Sequence, residues 1–107
     1  MKKLPSHLKR NTRSWIHGLM REYELEDHHI RLLILAGEAW DRCCQAREQI
    51  EREGLTIIDR FKQVRAHPAV AIERDSRIAF ARMLRETGLE IEGAQPPSRP
   101  PRIGGGR

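Results

Sequence analysis

Hydrophobic residues recur at helical spacing in three stretches of the chain. In the first stretch, over residues 12–23, the apolar positions lie three or four residues apart, as one face of a helix requires. They are Trp15, Ile16, Leu19, Met20 and Tyr23. Asn11 or Thr12 can cap the free amides of this helix, and Gly18 weakens it by about 1 kcal/mol relative to alanine.

A second, longer helix is predicted over 28–53, with Asp27 as its N-cap and Gly54 at the left-handed position beyond its end. Its apolar stripe alternates spacings of four and three and is rich in small residues, which allow a neighbouring helix to approach closely. We expect this stripe to be a helix interface, and the same residues are our candidates for an oligomer interface. They are Leu32, Ala36, Ala39, Trp40, Cys43, Ala46 and Ile50. The pattern leaves open whether the stripe packs within one chain or between copies.

A β-rich stretch follows, and residues 55–66 are predicted to form a short β-hairpin or an extended loop. Pro68 suits the first position of a helix, and a third helix is predicted over 68–87, ending before Gly88. Its apolar face consists of Ala69, Ile72, Ala79, Phe80, Met83 and Leu84.

The fold predicted from these elements is mainly α, with three helices and a short hairpin. We expect a basic N-terminal arm over 1–11, a helical domain over 12–92 and a flexible tail rich in Pro, Gly and Arg over 93–107. A domain of this size hides about 60–65% of its unfolded surface, so its stability is marginal and oligomerisation is a natural remedy.

Charge is distributed unevenly over a chain whose formal net charge is +5. Residues 1–21 hold six basic residues and no acid, residues 22–92 are net −4, and residues 93–107 hold three arginines and no acid. Two basic ends indicate a polyanionic partner, although solvated arms without a function fit the pattern equally well. The candidate DNA-binding residues are Lys2, Lys3, Lys9, Arg10, Arg13 and Arg21, with Arg60, Lys62 and Arg65 on the predicted hairpin.

Nothing in the sequence favours catalysis, a cofactor or a metal. Cys43 and Cys44 are adjacent, as are His28 and His29, whereas zinc sites space each pair of ligands by two to five residues. No glycine-rich phosphate loop precedes a helix, and no nucleophile elbow is present. A metal-dependent nuclease using these His and Cys residues is the weakest alternative. The two cysteines suit a reducing cytoplasm, and no apolar run is long enough to predict a membrane span or a secretory signal.

Several landmarks occur in order between Glu51 and Leu89. In EREGLTIIDRFKQVRAHPAVAIERDSRIAFARMLRETGL, a helix ends in Glu-Gly-Leu-Thr, an Asp-Arg-Phe turn follows, and His-Pro-Ala starts a helix containing Glu-Arg-Asp. With the preceding LLILAGEAWDRCCQAREQIE and the ending RPPRIGGGR, this order resembles phage terminase small subunits of the short, three-helix kind. The sequence departs from the family pattern at Lys62, where glycine is frequent, and residues 1–11 are shorter than the long basic, Pro-rich leader that many members carry before the first helix.

The resemblance implies a non-catalytic subunit that forms an oligomer, often a ring, recognises double-stranded viral DNA and hands it to a large ATPase and nuclease subunit. It also implies a phage or prophage protein acting in the cytoplasm of a bacterial host. We expect Arg99 and Arg102 of the Pro-rich tail to contact the large subunit. The alternative is a small dimeric transcriptional regulator or antitoxin. Such a protein would need a tight helix-turn-helix, and Tyr23–Asp27 is a poor candidate for its turn because the following helix is long and carries an apolar stripe.

Overall fold

The computed structural model describes residues 3–89. It contains three helices and one antiparallel hairpin: α1 (Arg10–Glu22), α2 (Asp27–Glu53), β1 (Thr56–Ile58), β2 (Val64–Ala66) and α3 (Pro68–Glu86). The predicted mainly helical fold is confirmed, and every helix begins and ends within two residues of its predicted bounds. The tail predicted over 93–107 lies outside the described residues.

The apolar core is concentrated at one end of the molecule, where α1 meets the first half of α2 and the last turns of α3. Its buried members are Leu4, Leu8, Ile16, Leu19, Leu33 and Leu84. Leu4 and Leu8 are only 4% and 2% exposed, so the segment predicted as a basic arm over 1–11 also contributes two core residues. We call this part, made of residues 3–41 and 78–89, the core end.

Helix α1 packs tightly against α2 at Gly37. A methyl group at Gly37 would lie 2.7 Å from Cγ2 of Thr12 and 3.3 Å from Cδ1 of Ile16. One turn later, the buried carboxylate of Asp41 accepts hydrogen bonds from the Lys9 amide at 2.9 Å and the Thr12 hydroxyl at 2.6 Å. Glycine therefore lets the two helices touch, and Asp41 fixes the start of α1.

Two of the predicted helix caps are wrong. Lys9 rather than Asn11 or Thr12 occupies the N-cap of α1 and has no side-chain cap, because Asp41 of α2 supplies the acceptor instead. Glu26 rather than Asp27 caps α2, since its side chain and that of His29 each bond the other's backbone amide in a capping box. In both cases the cap depends on a residue that local sequence preference does not select.

The second half of α2, the hairpin and the first half of α3, residues 42–77, extend away from the core end, and we call them the distal arm. Here α2 and α3 pack along each other, and the buried apolar side chains are the small Cys43, Ala46 and Ala69. Both hairpin strands are exposed throughout. The arm therefore has no core of large side chains.

The hairpin turn is organised by Asp59. Its Oδ1 accepts hydrogen bonds from the amides of Phe61 and Gln63, and its Oδ2 accepts one from Arg65 Nε at 2.6 Å. Lys62 closes the turn with a φ of 61°, a left-handed conformation that favours glycine. The resemblance to terminase small subunits leads us to expect glycine at this position, and glycine adopts this conformation without steric cost.

Polar contacts also join α2 to α3 on the helix side of the hairpin. His67 caps α3 by accepting a hydrogen bond from the Ala69 amide at Nδ1, so its Nε2 carries the hydrogen and donates it to Glu53 over 2.7 Å. Glu73 accepts hydrogen bonds from Cys43 Sγ and from Arg47 Nε of α2, the latter at 3.0 Å. The His-Pro-Ala and Glu-Arg-Asp landmarks therefore include the joints of the distal arm.

Candidate nucleic-acid interface

A basic stripe runs along the outer face of α1. Arg10, Arg13, His17 and Arg21 follow one another at spacings of three, four and four, which places them on one side of a helix. The buried residues Thr12, Ile16 and Leu19 occupy the opposite side. At 1.5 Å per residue the stripe is about 16 Å long. We call these four residues the α1 stripe.

The arginines of the α1 stripe make no ion pair with any residue of the described range 3–89. The helix surface between them carries no acid, since Glu22 is the one carboxylate of α1 and follows Arg21 at the helix end. The positive potential of this face is therefore not neutralised locally, and anions in solution can approach it.

The remaining N-terminal candidates are placed differently. Lys9 donates its amide to Asp41, and its ammonium lies 3.7 Å from Glu48 Oε1, so its charge is partly compensated. Lys3 is exposed, and Lys2 lies outside the described residues. His17, which counting of Lys and Arg overlooked, is half-buried on the stripe, and only the helical register reveals it.

The three candidate DNA-binding cations of the hairpin are not all available to bind a polyanion. Arg65 is held by Asp59 and, at 3.3 Å, by Gln63 Oε1, and this arginine holds the pKa of Asp59 below its usual value. The Arg60 guanidinium lies 5.0 Å from the centre of the Phe61 ring, and Lys62 is exposed at the turn. The hairpin thus presents two cations free of ion pairs within the described residues.

The α1 stripe and the hairpin cations do not form one compact patch. Asp41 lies beside the start of α1, and α2 continues from there to Glu53 before the hairpin begins. These twelve residues of helix span about 18 Å. A single polyanion must therefore be extended to touch both groups, as a DNA backbone is.

The predicted oligomer-interface stripe is divided between the interior and the surface. Ala36, Cys43 and Ala46 are at most 3% exposed and pack within the chain. Leu32, Ala39 and Ile50 are half-buried, and Trp40 is exposed and contacts Phe80. Leu35, which the prediction omitted, is 46% exposed and continues the surface stripe, because it lies three residues after Leu32 and four before Ala39.

The groups considered for metal binding have structural explanations. Burial raises the pKa of the Cys43 thiol, which disfavours the thiolate that metals and catalysis require. Glu26, His28 and His29 offer ligand atoms within 4.8 Å of one another, but Glu26 and His29 form the capping box of α2. Within residues 3–89, no helix combines the length and apolar content that crossing a bilayer requires.

Comparison with known proteins agrees with the order of landmarks. The model of the family described as phage terminase, small subunit, matches residues 13–98, well over half of the chain. Searches of curated proteins and of solved structures return no match. The matched range takes in the α1 stripe from Arg13 onward, α2, the hairpin and α3, so the chain belongs to the phage terminase small subunit family.

Proposed function

We propose that this chain is the DNA-recognising small subunit of a phage packaging terminase. It binds double-stranded viral DNA through the α1 stripe and delivers it to a large subunit that carries the ATPase and nuclease activities. The chain itself contributes no catalysis, and acts in the cytoplasm of a bacterial host. The observation that carries the proposal is the acid-free α1 stripe on a member of the terminase small subunit family.

The chemistry of the stripe suits phosphate contact better than base reading. Arginines pair with phosphate oxygens through two parallel hydrogen bonds, and three arginines along about 16 Å match the extended charge of a duplex. One chain makes few such contacts, so affinity depends on several copies binding together. We therefore expect weak sequence preference and strong salt dependence from the purified protein.

The test compares two triple variants with the same loss of charge. R10Q/R13Q/R21Q removes the arginines of the α1 stripe, and R42Q/R82Q/R85Q removes three exposed arginines elsewhere. Binding to a DNA duplex is measured by fluorescence anisotropy over a range of salt concentrations. The first variant should flatten the log–log salt dependence by about three, because each phosphate that an arginine neutralises adds roughly 0.9 to the slope. Equal losses in both variants would contradict the proposal, because net charge alone would then explain binding.

We propose that copies of the chain assemble through the outer part of the apolar stripe of α2, which consists of Leu32, Leu35 and Ala39. The buried Ala36, Cys43 and Ala46 hold the chain together rather than copies of it. Leu35→Glu should lower the native mass measured by light scattering, since burial of an unpaired carboxylate between copies is costly. Ile78→Glu is the matched control, because Ile78 is 49% exposed on α3 against 46% for Leu35. Dissociation by the control alone would move the interface to α3.

Native mass also separates the proposal from its rival. A small transcriptional regulator or antitoxin binds a palindromic operator as a two-fold dimer, whereas a terminase small subunit is expected to form a larger assembly. A ring-sized species supports the terminase proposal, and a stable dimer with salt-resistant preference for one palindrome supports the regulator.

The proposed contact of Arg99 and Arg102 with the large subunit concerns residues outside the described range. Deletion of 93–107 should abolish the complex with the large subunit.

A further inference from the structure

An apolar groove lies where the three helices of the core end meet. Its walls carry three aromatic rings, with the Phe80 ring centre 5.9 Å from that of Trp15 and 5.2 Å from that of Trp40. The groove has a volume of about 350 Å³. Its lining residues are Asn11, Thr12, Trp15, Trp40, Phe80 and Leu84. Both tryptophans of the chain line it.

The groove is open to solvent along one side. Trp40 is 42% exposed, although a large aromatic ring gains most by burial. The Arg47 guanidinium lies 5.9 Å from the centre of the Trp40 ring, but it forms an ion pair with Glu73. Nothing within residues 3–89 covers the groove, and its rings offer flat apolar surfaces to an occupant that needs no charged partner there.

The C-terminal segment begins next to this groove. Helix α3 ends at Glu86, and Gly88 has a φ of 70°, which turns the chain away from the helix axis. Leu84, one of the lining residues, lies five residues before Leu89, the last described residue. Pro97 is eight residues beyond Leu89, which an extended chain at about 3.1 Å per residue covers in roughly 25 Å. The segment can therefore reach back to the rings.

The sequence of that segment supplies a suitable binding edge. Prolines favour the polyproline II conformation, which has three residues per turn. At that period Pro97, Pro100 and Ile103 share one edge, whereas Arg99 and Arg102 share another. Proline-rich segments dock in aromatic-lined grooves because a preformed extended helix loses little entropy on binding. The apolar edge thus matches the groove in chemistry.

We propose that residues 96–103 of the chain dock in the aromatic groove, with Pro97, Pro100 and Ile103 against Trp15, Trp40 and Phe80. Docking leaves Arg99 and Arg102 on the solvent side, where they present two charges at a fixed spacing to an acidic partner. Docking would also hold the tail beside α1, whose Trp15 lines the groove. The docking does not depend on the proposed function and stands or fails by itself.

The chain's own tail fits the groove better than a second copy does. A stable interface buries about 800 Å² of each partner, whereas a groove of about 350 Å³ accommodates a short run of side chains. The tail is also tethered close to the groove, so its effective concentration is in the millimolar range. A weak contact that would not hold two separate molecules therefore suffices within one chain.

Tryptophan fluorescence of the full-length chain tests the docking directly, because both tryptophans line the groove. P97S/P100S/I103S removes the docking edge, and P96S/P101S is the matched control, which removes two prolines on the other edges. The first variant should shift the emission to longer wavelength, as solvent reaches the rings, while the control should resemble the original chain. Far-ultraviolet circular dichroism checks that both variants keep their helices.

A second measurement supplies the tail in trans. A synthetic peptide of residues 93–107 added to P97S/P100S/I103S should restore the original emission with a saturable dependence on concentration, and a peptide with the same three serines should bind at least tenfold more weakly. The proposal is overturned if both full-length variants have the emission of the original chain. It is also overturned if the emission follows protein concentration instead of the tail sequence, which would assign the groove to a second copy.

Discussion

The two ends of this molecule are held together by different interactions. The core end buries leucines and isoleucines, including Leu8, Ile16 and Leu33, at 2% exposure or less. The distal arm leaves Leu55, Ile58, Phe61, Val64 and Ile72 between 44% and 72% exposed. Its joints are hydrogen bonds and ion pairs made by Asp59, His67 and Glu73. Burial of large apolar side chains stabilises the core end, whereas polar contacts stabilise the distal arm.

This contrast indicates where the chain opens first. Burial of a large apolar side chain contributes about 1.5–3 kcal/mol, whereas an exposed ion pair contributes about 0–1 kcal/mol. Regions with few buried apolar contacts have the lowest local opening free energies. We therefore infer that the distal arm opens before the core end. Its exposed apolar hairpin is also a surface that a covering partner would stabilise.

The largest expected effect is obtained by truncating a leucine at each end. Leu33→Ala should lower the free energy of unfolding by about 2–5 kcal/mol, because it leaves a cavity in the core end. Leu55→Ala removes the same atoms from a side chain that is 65% exposed and should change stability by less than about 0.5 kcal/mol. Urea denaturation followed by circular dichroism measures both. Comparable losses would mean that the hairpin is covered in solution.

A pair of glycines gives the next largest contrast. Gly37→Ala should destabilise the chain, since crowding against Thr12 and Ile16 costs about 1–3 kcal/mol. Gly18→Ala should stabilise it by about 0.5–1 kcal/mol, because the nearest atom to the new methyl group is Arg21 Nη2 at 3.9 Å. Thermal unfolding of both variants measures the signs. Stabilisation by Gly37→Ala would show that α1 can move away from α2.

Sequence periodicity predicted the helices well because each has a face that is apolar at the right spacing. It could not predict which apolar residues were buried between which helices. Ala36 and Trp40 both belong to the predicted α2 stripe, yet Ala36 is fully buried and Trp40 is 42% exposed. The contact of Asp41 with Lys9 and Thr12 also joins residues about thirty positions apart. Such pairings depend on how the helices cross, which local patterns do not encode.

The candidate DNA surface shows the same limit. Counting charges predicted Arg10, Arg13 and Arg21, but helical register was needed to add His17 and to recognise one continuous stripe. Charge counting also treated Arg65 and Lys62 as equal candidates, although Arg65 forms an ion pair with Asp59. Charge content therefore indicated the candidate surface approximately, and the contacts of each side chain show which of these charges are free of ion pairs within the described residues.

A smaller change is expected at the hairpin turn. Lys62→Gly should stabilise the hairpin by up to about 1 kcal/mol. A left-handed conformation costs a residue with a side chain about 1–2 kcal/mol, and the greater freedom of glycine in the unfolded chain cancels part of the gain from removing that cost. Lys62→Ala removes the same charge without relieving the backbone. Amide hydrogen exchange at Ile57 and Arg65 reports on the hairpin. Equal protection in the two variants would exclude backbone strain as the cause.

The smallest expected effect is a difference between the two ends in how their stability responds to acid. Hydrogen bonds from His67, Arg65 and Arg47 hold the pKa of Glu53, Asp59 and Glu73, respectively, below its usual value. A carboxyl whose pKa is lower when folded contributes stability above its unfolded pKa, near 4, and loses it as the pH falls through the folded value.

These three carboxyls lie in the distal arm, so acid below about pH 4 should loosen the arm before the core end. Amide hydrogen exchange, corrected for its intrinsic pH dependence, should lose protection at Phe61 and Gln63, whose amides bond Asp59, at a pH where the amides of α1 are still protected. Arg65→Gln provides the control, since without the arginine the pKa of Asp59 rises and the hairpin should loosen at higher pH. Loss of protection in α1 first would reverse the order of stability inferred for the two ends.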